Sequence, residues 1–214
     1  MPDKPDYALI NQCLYEGKAQ EVYDMTKQAI DDGHDVREVL EDGLISGMSV
    51  VGEDFKRNIL YVPEVLIAAR AMKRGMEIIK PILADTEGVE PAGTLIIGTV
   101  KGDLHDIGKN LVIMMAEGAG YEVVDLGVDV SADQYIAAIN EHNAKLLGMS
   151  ALLTTTMGYM ATVIQELENA GLVDVKTCIG GAPVTQAFAD EIDADGYATD
   201  AANAVSLFNT VHHN

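Results

Sequence analysis

The sequence predicts an α-helical bundle followed by a doubly wound α/β domain with a five-stranded parallel sheet. Two observations lead to this fold class. From Tyr7 to about Ile82, apolar residues recur at spacings of three and four, which is the period of amphipathic helices. After about residue 93, short apolar runs rich in β-formers alternate with helical patterns. This alternation is typical of a parallel sheet that carries helices on both faces.

The first half contains four apolar stripes, which predict four helices joined by short connections. Such a pattern is typical of an antiparallel four-helix bundle, and we expect it to form a separate domain at 1–83. The following stretch, 84–92, is acidic, contains Pro and Gly and lacks periodicity, which indicates a linker. The α/β domain then occupies 93–214.

The second half contains five strand candidates: TLIIGTV, YEVVDLG, AKLLGMS, VKTCIGG and the weaker DADGYA. A helical pattern follows each of them, as in flavodoxin-like and Rossmann-like domains. Ligands bind to such domains at the carboxyl ends of the strands. The turns expected there are GDLHDIG after the first strand, SALLTTTM after the third and GGAPVT after the fourth. The unusual residues of the domain are concentrated in these turns.

Composition excludes several classes of function. The 214 residues carry a formal net charge of −20, which opposes binding to nucleic acids and to anionic membrane surfaces. No apolar run approaches the ~20 residues of a membrane span. The start, MPDKPDYALINQ, lacks the features of a signal peptide, so we expect a cytoplasmic protein. Cys13 and Cys178 lie in unlike contexts and are expected to be free buried thiols.

His105 is the residue of greatest chemical interest. Asp103 is close enough in sequence to bond one ring nitrogen, which leaves the other nitrogen free for a metal. Gly108 lacks a side chain and would let a bulky ligand approach. A loop or capping histidine is the simpler alternative. A zinc site requires three or four protein ligands, and the other histidines and the cysteines show no ligand spacing. A single imidazole therefore suggests that a macrocycle supplies the other ligands, and no C-x-x-C-H haem site is present.

The turns after the third and fourth strands are rich in small and hydroxyl-bearing residues. Ser150 ends the third strand and could extend the hydrogen bonds of Asp103 and His105, although it could equally belong to a helix N-cap region. Gly180 and Gly181 end the fourth strand and are expected to open a gap between the sheet and a helix. Openings at adjacent strand ends could admit a long, partly planar group.

These residues together resemble the cobalamin-binding signature of corrinoid proteins. The signature appears as D-x-H-x-x-G at Asp103–Gly108, then S-x-L at Ser150–Leu152, then Gly180–Gly181. The stretches VLEDGLISGMSVVGEDF and YVPEVLIAARAM resemble the helical cap of the cobalamin module of methionine synthase and of small methylotrophic corrinoid proteins. The resemblance covers nearly the whole chain.

The resemblance implies that cobalamin binds base-off and His-on, with His105 as the lower ligand of cobalt and its nucleotide tail in a slot past Ser150. It assigns Asp103 and Ser150 to a proton-linked relay, and it makes apolar cap positions the shield of the methyl group. Asp106 has two interpretations, a helix cap or a contact with the corrin edge. The implied cofactor-binding positions are Glu41, Phe55, Val62, Val65, Gly102, Asp103, Leu104, His105, Asp106, Gly108, Ser150, Leu152, Thr154, Gly180, Gly181 and Ala201.

The function implied is that of a free-standing methyl carrier. A substrate-specific methyltransferase would load the methyl group, a second would pass it to tetrahydrofolate or a thiol, and a reductive activase would restore the cofactor. Whether such a carrier counts as an enzyme is partly a matter of naming, because turnover needs two partners. Val62 is smaller than the leucine common in methionine synthase, and the run Thr154–Thr156 lacks its proline, so that enzyme's substrates are not transferred. Methanol, methylamines, betaines and methoxylated aromatics are candidate donors.

Two other functions fit parts of the pattern. A cobalamin-responsive sensor would use the same module, but the sequence shows no DNA-binding or signalling segment. A phosphoacceptor receiver domain would have a similar fold. It would place the acceptor carboxylate after the third strand and a lysine after the last, whereas Ser150 follows the third strand here and no lysine follows GYA.

Overall fold

A computed structural model describes residues 5–84 and 92–212 of the chain. These residues divide into two compact units. The first holds the described residues up to 84 together with Gly118–Gly120, and the second holds the described residues from 92 to Glu117 and from Tyr121 to 212. The predicted linker at 84–92 falls almost wholly on 85–91, which lie outside the described residues.

The first unit is built from helices. They are α1 (Tyr7–Tyr15), α2 (Ala19–Asp31), α3 (Val36–Glu38), a π-helical segment (Val39–Ile45), α4 (Ser46–Lys56) and α5 (Val62–Ala84). Because α3, the π-helical segment and α4 follow one another without a break, the unit has the four helices that its apolar stripes predict. Its interior includes the fully buried side chains of Ile10, Leu14, Val22, Leu44 and Ile79.

The π-helical segment was not predicted. A π-turn leaves backbone carbonyls without their usual helical partners, and such turns are frequent at functional sites. Here the Nδ2 amide of Asn11, on α1, donates a hydrogen bond of 2.8 Å to the carbonyl of Asp42. The segment contains Glu41, one of the residues implied by the family resemblance.

The second unit is a five-stranded, wholly parallel sheet with helices between its strands, which confirms the predicted fold class. The strand order is β2-β1-β3-β4-β5, the flavodoxin-like order. The strands are β1 (Thr94–Thr99), β2 (Glu122–Asp125), β3 (Leu146–Ser150), β4 (Lys176–Gly180) and β5 (Gly196–Ala198). The helices are α6 (Ile107–Gly118), α7 (Ala132–His142), α8 (Thr154–Met157), α9 (Tyr159–Asn169), α10 (Gln186–Glu191) and α11 (Ala201–His212).

The helical pattern after β3 forms two pieces, where the sequence predicts one helix. The short α8 ends before Gly158, and α9 continues from Tyr159. Strands β1, β3 and β4 are buried nearly throughout, as expected of central strands in a covered parallel sheet. Among the described residues, no helix has both the length and the apolar character that a membrane crossing requires.

Candidate functional site

The carboxyl ends of four strands lie level with one another in the second unit. Thr99 of β1 pairs with Ser150 of β3, Ser150 pairs with Gly180 of β4, and Gly180 pairs with Ala198 of β5. This register brings the turns after β1, β3 and β4 to one edge of the sheet, where parallel α/β domains bind ligands.

The turn after β1 holds His105 against a buried carboxylate. Asp103 is 0% exposed, whereas the side chain of His105 is 52% exposed. Oδ1 of Asp103 lies 2.7 Å from Nδ1 of His105 and also accepts the backbone N–H of His105 at 3.1 Å. Because an ionised carboxylate only accepts hydrogen bonds, Nδ1 carries a proton, and the lone pair of the neutral ring is on Nε2. The neutral ring could therefore bind a metal through Nε2.

The second carboxylate oxygen of Asp103 is bound by the turn after β3. Oδ2 accepts the backbone N–H of Leu152 at 2.8 Å, that of Leu153 at 3.3 Å and the hydroxyl of Thr156 at 2.7 Å. Burial alone would raise the pKa of this carboxyl, but its hydrogen bonds, led by the one from Thr156, hold the pKa well below its usual range. Asp103 therefore stays ionised and keeps Nδ1 protonated.

The hydroxyl that reaches Asp103 in this structure belongs to Thr156. The assignment of Ser150 to the relay stays a prediction. Ser150 ends β3 and pairs through its backbone with the strands on either side. The chain then turns back, so that the first turn of α8 brings Thr156 onto the carboxylate. The Thr156 hydroxyl also lies 3.0 Å from the carbonyl of Leu153, but the charged and closer carboxylate is the stronger acceptor. The Thr154–Thr156 run indicates hydroxyls at this turn but does not single out Thr156 from its two neighbours.

Exposed apolar side chains occur on both turns that meet at Asp103 and His105. Leu104 and Ile107 flank His105 in sequence and are 71% and 81% exposed. Leu152 and Leu153, on the turn that binds Asp103, are also exposed. Leucine and isoleucine this exposed and this concentrated are typical of a binding surface for an apolar or planar group. In the described ranges, 5–84 and 92–212, no three His, Cys, Asp or Glu side chains lie together so as to hold a metal ion among themselves.

Two glycines of this edge have different surroundings. A Cβ atom at Gly108 would meet no heavy atom within 4 Å, so the start of α6 faces open space at this residue. Gly181, by contrast, is packed closely against the turn after β3. The residue has φ +128°, and a Cβ atom there would lie 1.8 Å from the carbonyl oxygen of Ala151. Glycine at this position lets the turns after β3 and β4 approach each other closely. The predicted gap between the sheet and a helix stays a prediction.

The remaining predicted positions of the second unit lie at the same edge. Gly102 (φ +84°) precedes Asp103. Thr154 is the exposed first residue of α8, and Ala201 is the buried first residue of α11. Asp106 directly precedes α6, and its backbone carbonyl accepts the N–H of Asn110 at 2.8 Å, as expected for a residue at the helix start.

A buried lysine joins this edge to β2, and sequence reasoning missed it. Lys109, on α6, is 2% exposed. Its Nζ lies 2.6 Å from Oδ1 of Asp125, at the end of β2, and 2.9 Å from Oδ1 of Asn110. Asn110 in turn donates to Oδ2 of Asp106 at 3.2 Å. The ion pair anchors the first turn of α6, which follows His105 directly.

The first unit carries the other predicted residues. Glu41 is exposed on the π-helical segment, and Phe55 is half-buried near the end of α4. Val62, the first residue of α5, is 38% exposed, whereas Val65 is 0% exposed and belongs to the interior. Further apolar side chains exposed in the same region include Ile59, Tyr61 and Leu66, which the sequence did not assign to the cofactor.

Two family models match the chain. A model described as a B12 binding domain matches residues 93–206, and a second model with the same description matches residues 8–80.

Curated relatives are similar over most of their length. A corrinoid protein of Desulfitobacterium hafniense is 40% identical over 206 residues, which cover 94% of this chain and 95% of the relative. The trimethylamine corrinoid protein 1 of Methanosarcina acetivorans is 42% identical over 190 residues, covering 88% of each chain. The dimethylamine corrinoid protein 1 of the same organism is 44% identical over 173 residues, covering 80% and 81%.

Two solved structures are also similar to this chain over nearly its whole length. The methanol:cobalamin methyltransferase complex of Methanosarcina barkeri contains a chain that matches with a TM-score of 0.84 and 31% identity, over 96% of this chain and 78% of that one. A cobalamin-binding protein of Desulfitobacterium hafniense matches with a TM-score of 0.79 and 28% identity, over 96% and 98%.

Proposed function

Because the chain belongs to the family of B12-binding corrinoid proteins, we propose that it is a methyl carrier that binds cobalamin through His105. One observation carries the proposal: a turn with exposed apolar side chains also bears an exposed histidine with a free Nε2, whose Nδ1–H is bonded to a buried carboxylate. When bound, the corrinoid supplies a cobalt centre that accepts a methyl group from one protein and gives it to another.

The residues of the β1–α6 turn fit such a cofactor. A corrin is broad, largely apolar and bears its metal at the centre. Leu104 and Ile107, which flank His105 in sequence, present exposed apolar surface, and the open space at Gly108 leaves clearance for the ring. The single imidazole suits a metal whose other ligands come from the macrocycle.

Asp103 and Thr156 hold the ligand ready in this proposal. The ionised carboxylate keeps the proton on Nδ1 and directs Nε2 outward, and the Thr156 hydroxyl, with two backbone N–H groups, fixes the carboxylate. A partner that orients a metal-bound histidine through its second nitrogen also raises its basicity. We propose the base-off, His-on mode on this ground, with the nucleotide tail lying along the turns after β3, β4 and β5. The tail contacts are proposed for Ser150, Leu152, Thr154, Gly180, Gly181 and Ala201.

The helical unit would shield the methyl group. Phe55 and Val62 offer apolar surface, and Ile59 and Tyr61 extend it along the turn before α5. An apolar cover excludes water from a reactive metal–carbon bond. Glu41 would supply a polar contact beside it, and Val65 would support Val62 from the interior.

Methylamines are the favoured donors, with methanol as the alternative, because relatives named as trimethylamine and dimethylamine corrinoid proteins are 42–44% identical. A chain in a methanol:cobalamin methyltransferase complex has the same fold at 31% identity. The proposed partners are a substrate-specific methyltransferase, a second methyltransferase that acts on tetrahydrofolate or a thiol, and a reductive activase.

Reconstitution tests the cofactor. Purified protein mixed with hydroxocobalamin should retain the coloured cofactor through gel filtration, with the spectrum of a histidine-ligated cobalt whose own base is displaced. Protein that stays colourless would overturn the proposal. Carrier function is tested next with the reduced holoprotein, a methylamine or methanol methyltransferase, and each donor in turn. Failure of every such pairing to methylate the cofactor would reject the carrier role while leaving cobalamin binding intact.

A further inference from the structure

The loop between β2 and α7 lies against the turn that bears His105. The carbonyl of Gly127 accepts the N–H of Thr99 at 3.0 Å, and the N–H of Val130 donates to the carbonyl of Thr99 at 3.0 Å. The loop thus continues the pairing with β1 past the end of β2. Four connections leave the carboxyl edge of the sheet after β1, β2, β3 and β4. Sequence reasoning singled out residues in the other three but none in this loop.

Within this loop, Asp129 makes two hydrogen bonds to adjacent residues of the turn. Its Oδ1 accepts the N–H of Gly102 at 2.7 Å, and its own N–H donates to the carbonyl of Asp103 at 3.0 Å. The first bond has a charged acceptor and is therefore of the stronger kind. Together they hold both ends of the Gly102–Asp103 step.

Asp129 makes these bonds from a backbone conformation that glycine would adopt more easily. Its φ is +57°, in the left-handed region that few non-glycine residues enter and that aspartate tolerates better than most. A glycine would lower the conformational cost but would lack the carboxylate. What aspartate adds at this position is the bond to Gly102.

The turn held in this way determines where the imidazole points. The side chain of Asp103 sets the tautomer and direction of the His105 ring. Thr99, which pairs with the same loop, donates its Oγ1 hydrogen to the carbonyl of His105 at 2.8 Å. The backbone on both sides of the ligand residue therefore depends on the position of the β2–α7 loop.

We propose that Asp129 is a positioning residue for His105: it holds the Gly102–Asp103 backbone so that the Asp103 carboxylate keeps the ring in its Nδ1–H tautomer, with Nε2 directed at cobalt. The second half of this statement rests on the proposed function. The first half concerns the protein without cofactor and can be measured there.

The test compares Asp129→Gly, Asp129→Asn and Asp193→Gly. Asp193 is an exposed aspartate with φ +55°, located before β5 at the opposite edge of the sheet. Its replacement by glycine removes the same conformational cost of a left-handed backbone, but far from the turn that bears His105. Asparagine keeps an oxygen acceptor and tolerates the left-handed region. Two quantities are measured by NMR on cofactor-free protein: the exchange rate of the Gly102 amide, and the ¹³Cδ2 shift of His105, which reports the tautomer.

Asp129→Gly should speed exchange of the Gly102 amide by roughly ten- to a hundredfold, the loss expected for a hydrogen bond to a charged group, and should mix the tautomers of His105. Asp129→Asn should keep the exchange rate of the Gly102 amide and the tautomer of His105 close to those of the wild type. Asp193→Gly should change neither. If Asp129→Gly leaves the exchange rate as in the wild type, or speeds exchange while His105 keeps one tautomer, the positioning role is rejected.

Cobalamin then tests the link to the proposed function. In the cob(II)alamin form, one axial nitrogen splits the cobalt EPR lines into triplets, and protein labelled with ¹⁵N-histidine gives doublets instead where that nitrogen is imidazole. The His-ligated fraction can therefore be read without any activity. That fraction should fall at least about twofold in Asp129→Gly and recover in Asp129→Asn. An unchanged fraction would reject the role toward cobalt. If wild-type protein shows no imidazole splitting, the proposed function fails, and the measurements on cofactor-free protein still decide whether Asp129 positions His105.

Discussion

The Thr156 hydroxyl lies 2.7 Å from Oδ2 of Asp103, across 53 positions of sequence. This bond ties the first turn of α8 to the end of β1, and the carboxylate passes the constraint to His105 through its other oxygen. The imidazole is thus oriented by residues of two separate turns.

Thr156→Val should lower the free energy of unfolding by about 1–3 kcal/mol, because a buried charged acceptor loses one of its donors. Thr155→Val is the matched control at an exposed neighbouring position and should change stability by less than about 0.5 kcal/mol. Urea denaturation of the cofactor-free protein measures both.

The same measurement distinguishes Thr156 from Ser150. Ser150→Ala should cost less than Thr156→Val, because the hydroxyl bound to Asp103 is that of Thr156. A larger loss of stability in Ser150→Ala would contradict the arrangement described above.

Asp103 should make stability depend on pH in a defined direction. Its hydrogen bonds, which outweigh the effect of burial, lower the pKa of its carboxyl in the folded state. An unfolded aspartate titrates near pH 3.9, so the contribution of Asp103 is complete well above about pH 4 and is lost as pH falls toward the folded-state value. The stability difference between wild type and Asp103→Asn should therefore shrink below about pH 4.

Urea titrations between neutral and acid pH measure that difference. Glu141→Gln, at an exposed position of α7, is the control and should show a small difference that varies little with pH. A wild-type advantage over Asp103→Asn that stays constant, or grows, as pH falls would show that the carboxylate is not held ionised by its donors.

His105→Ala should leave the fold intact, because the side chain is half exposed, and should remove histidine ligation from bound cobalamin. We expect the absorption spectrum to lose its His-on features and the affinity for hydroxocobalamin to fall at least about tenfold, equivalent to about 1.4 kcal/mol. His142→Ala, at the exposed end of α7, should behave as the wild type. An unchanged cobalt spectrum in His105→Ala would remove this residue from its assigned role.

Gly108 and Gly181 should respond in opposite ways to the addition of a methyl group. Gly108→Ala should raise the free energy of unfolding by up to about 1 kcal/mol, since alanine favours a helix and meets no neighbour. Gly181→Ala should lower it by at least about 2 kcal/mol, because the new Cβ atom overlaps the carbonyl of Ala151. Thermal or urea unfolding checks both signs.

The ligand-facing role of Gly108 then needs a larger side chain. Gly108→Leu should preserve the cofactor-free fold and weaken cobalamin binding, because the leucine would occupy the open space before α6. Undiminished affinity in a folded Gly108→Leu protein would show that the cofactor does not use this clearance.

The fold class and the family could be predicted from the sequence because both are indicated by hydrophobic periodicity and short motifs. The strand runs and the helical stripes were sufficient for the fold class, and three motif blocks were sufficient for the family, and both predictions are confirmed. The assignment of His105 as a metal ligand stays a prediction, as do the proposed cofactor contacts.

What sequence reasoning missed depends on how distant turns meet. Whether Ser150 or Thr156 bonds to Asp103 is decided by the course of the chain between β3 and α8, for which the three threonines carry no distinguishing local signal. Asp129 was missed because a left-handed aspartate in a loop has no motif. The close approach at Gly181 was missed because a glycine pair can serve either an opening or a close approach of two backbones, and the position of Ala151 shows the close approach.

The separation of 49 to 53 positions between Asp103 and its donors on the β3–α8 turn has a consequence for biosynthesis. Pairing of β3 with β1 closes a long loop, and such long-range steps are slow compared with helix formation. A chain still on the ribosome contains His105 well before it contains Thr156. Until α8 has left the exit tunnel, Asp103 lacks the donors of the β3–α8 turn that hold its carboxylate. If the proposed function holds, we expect cofactor binding at His105 to follow translation of this segment.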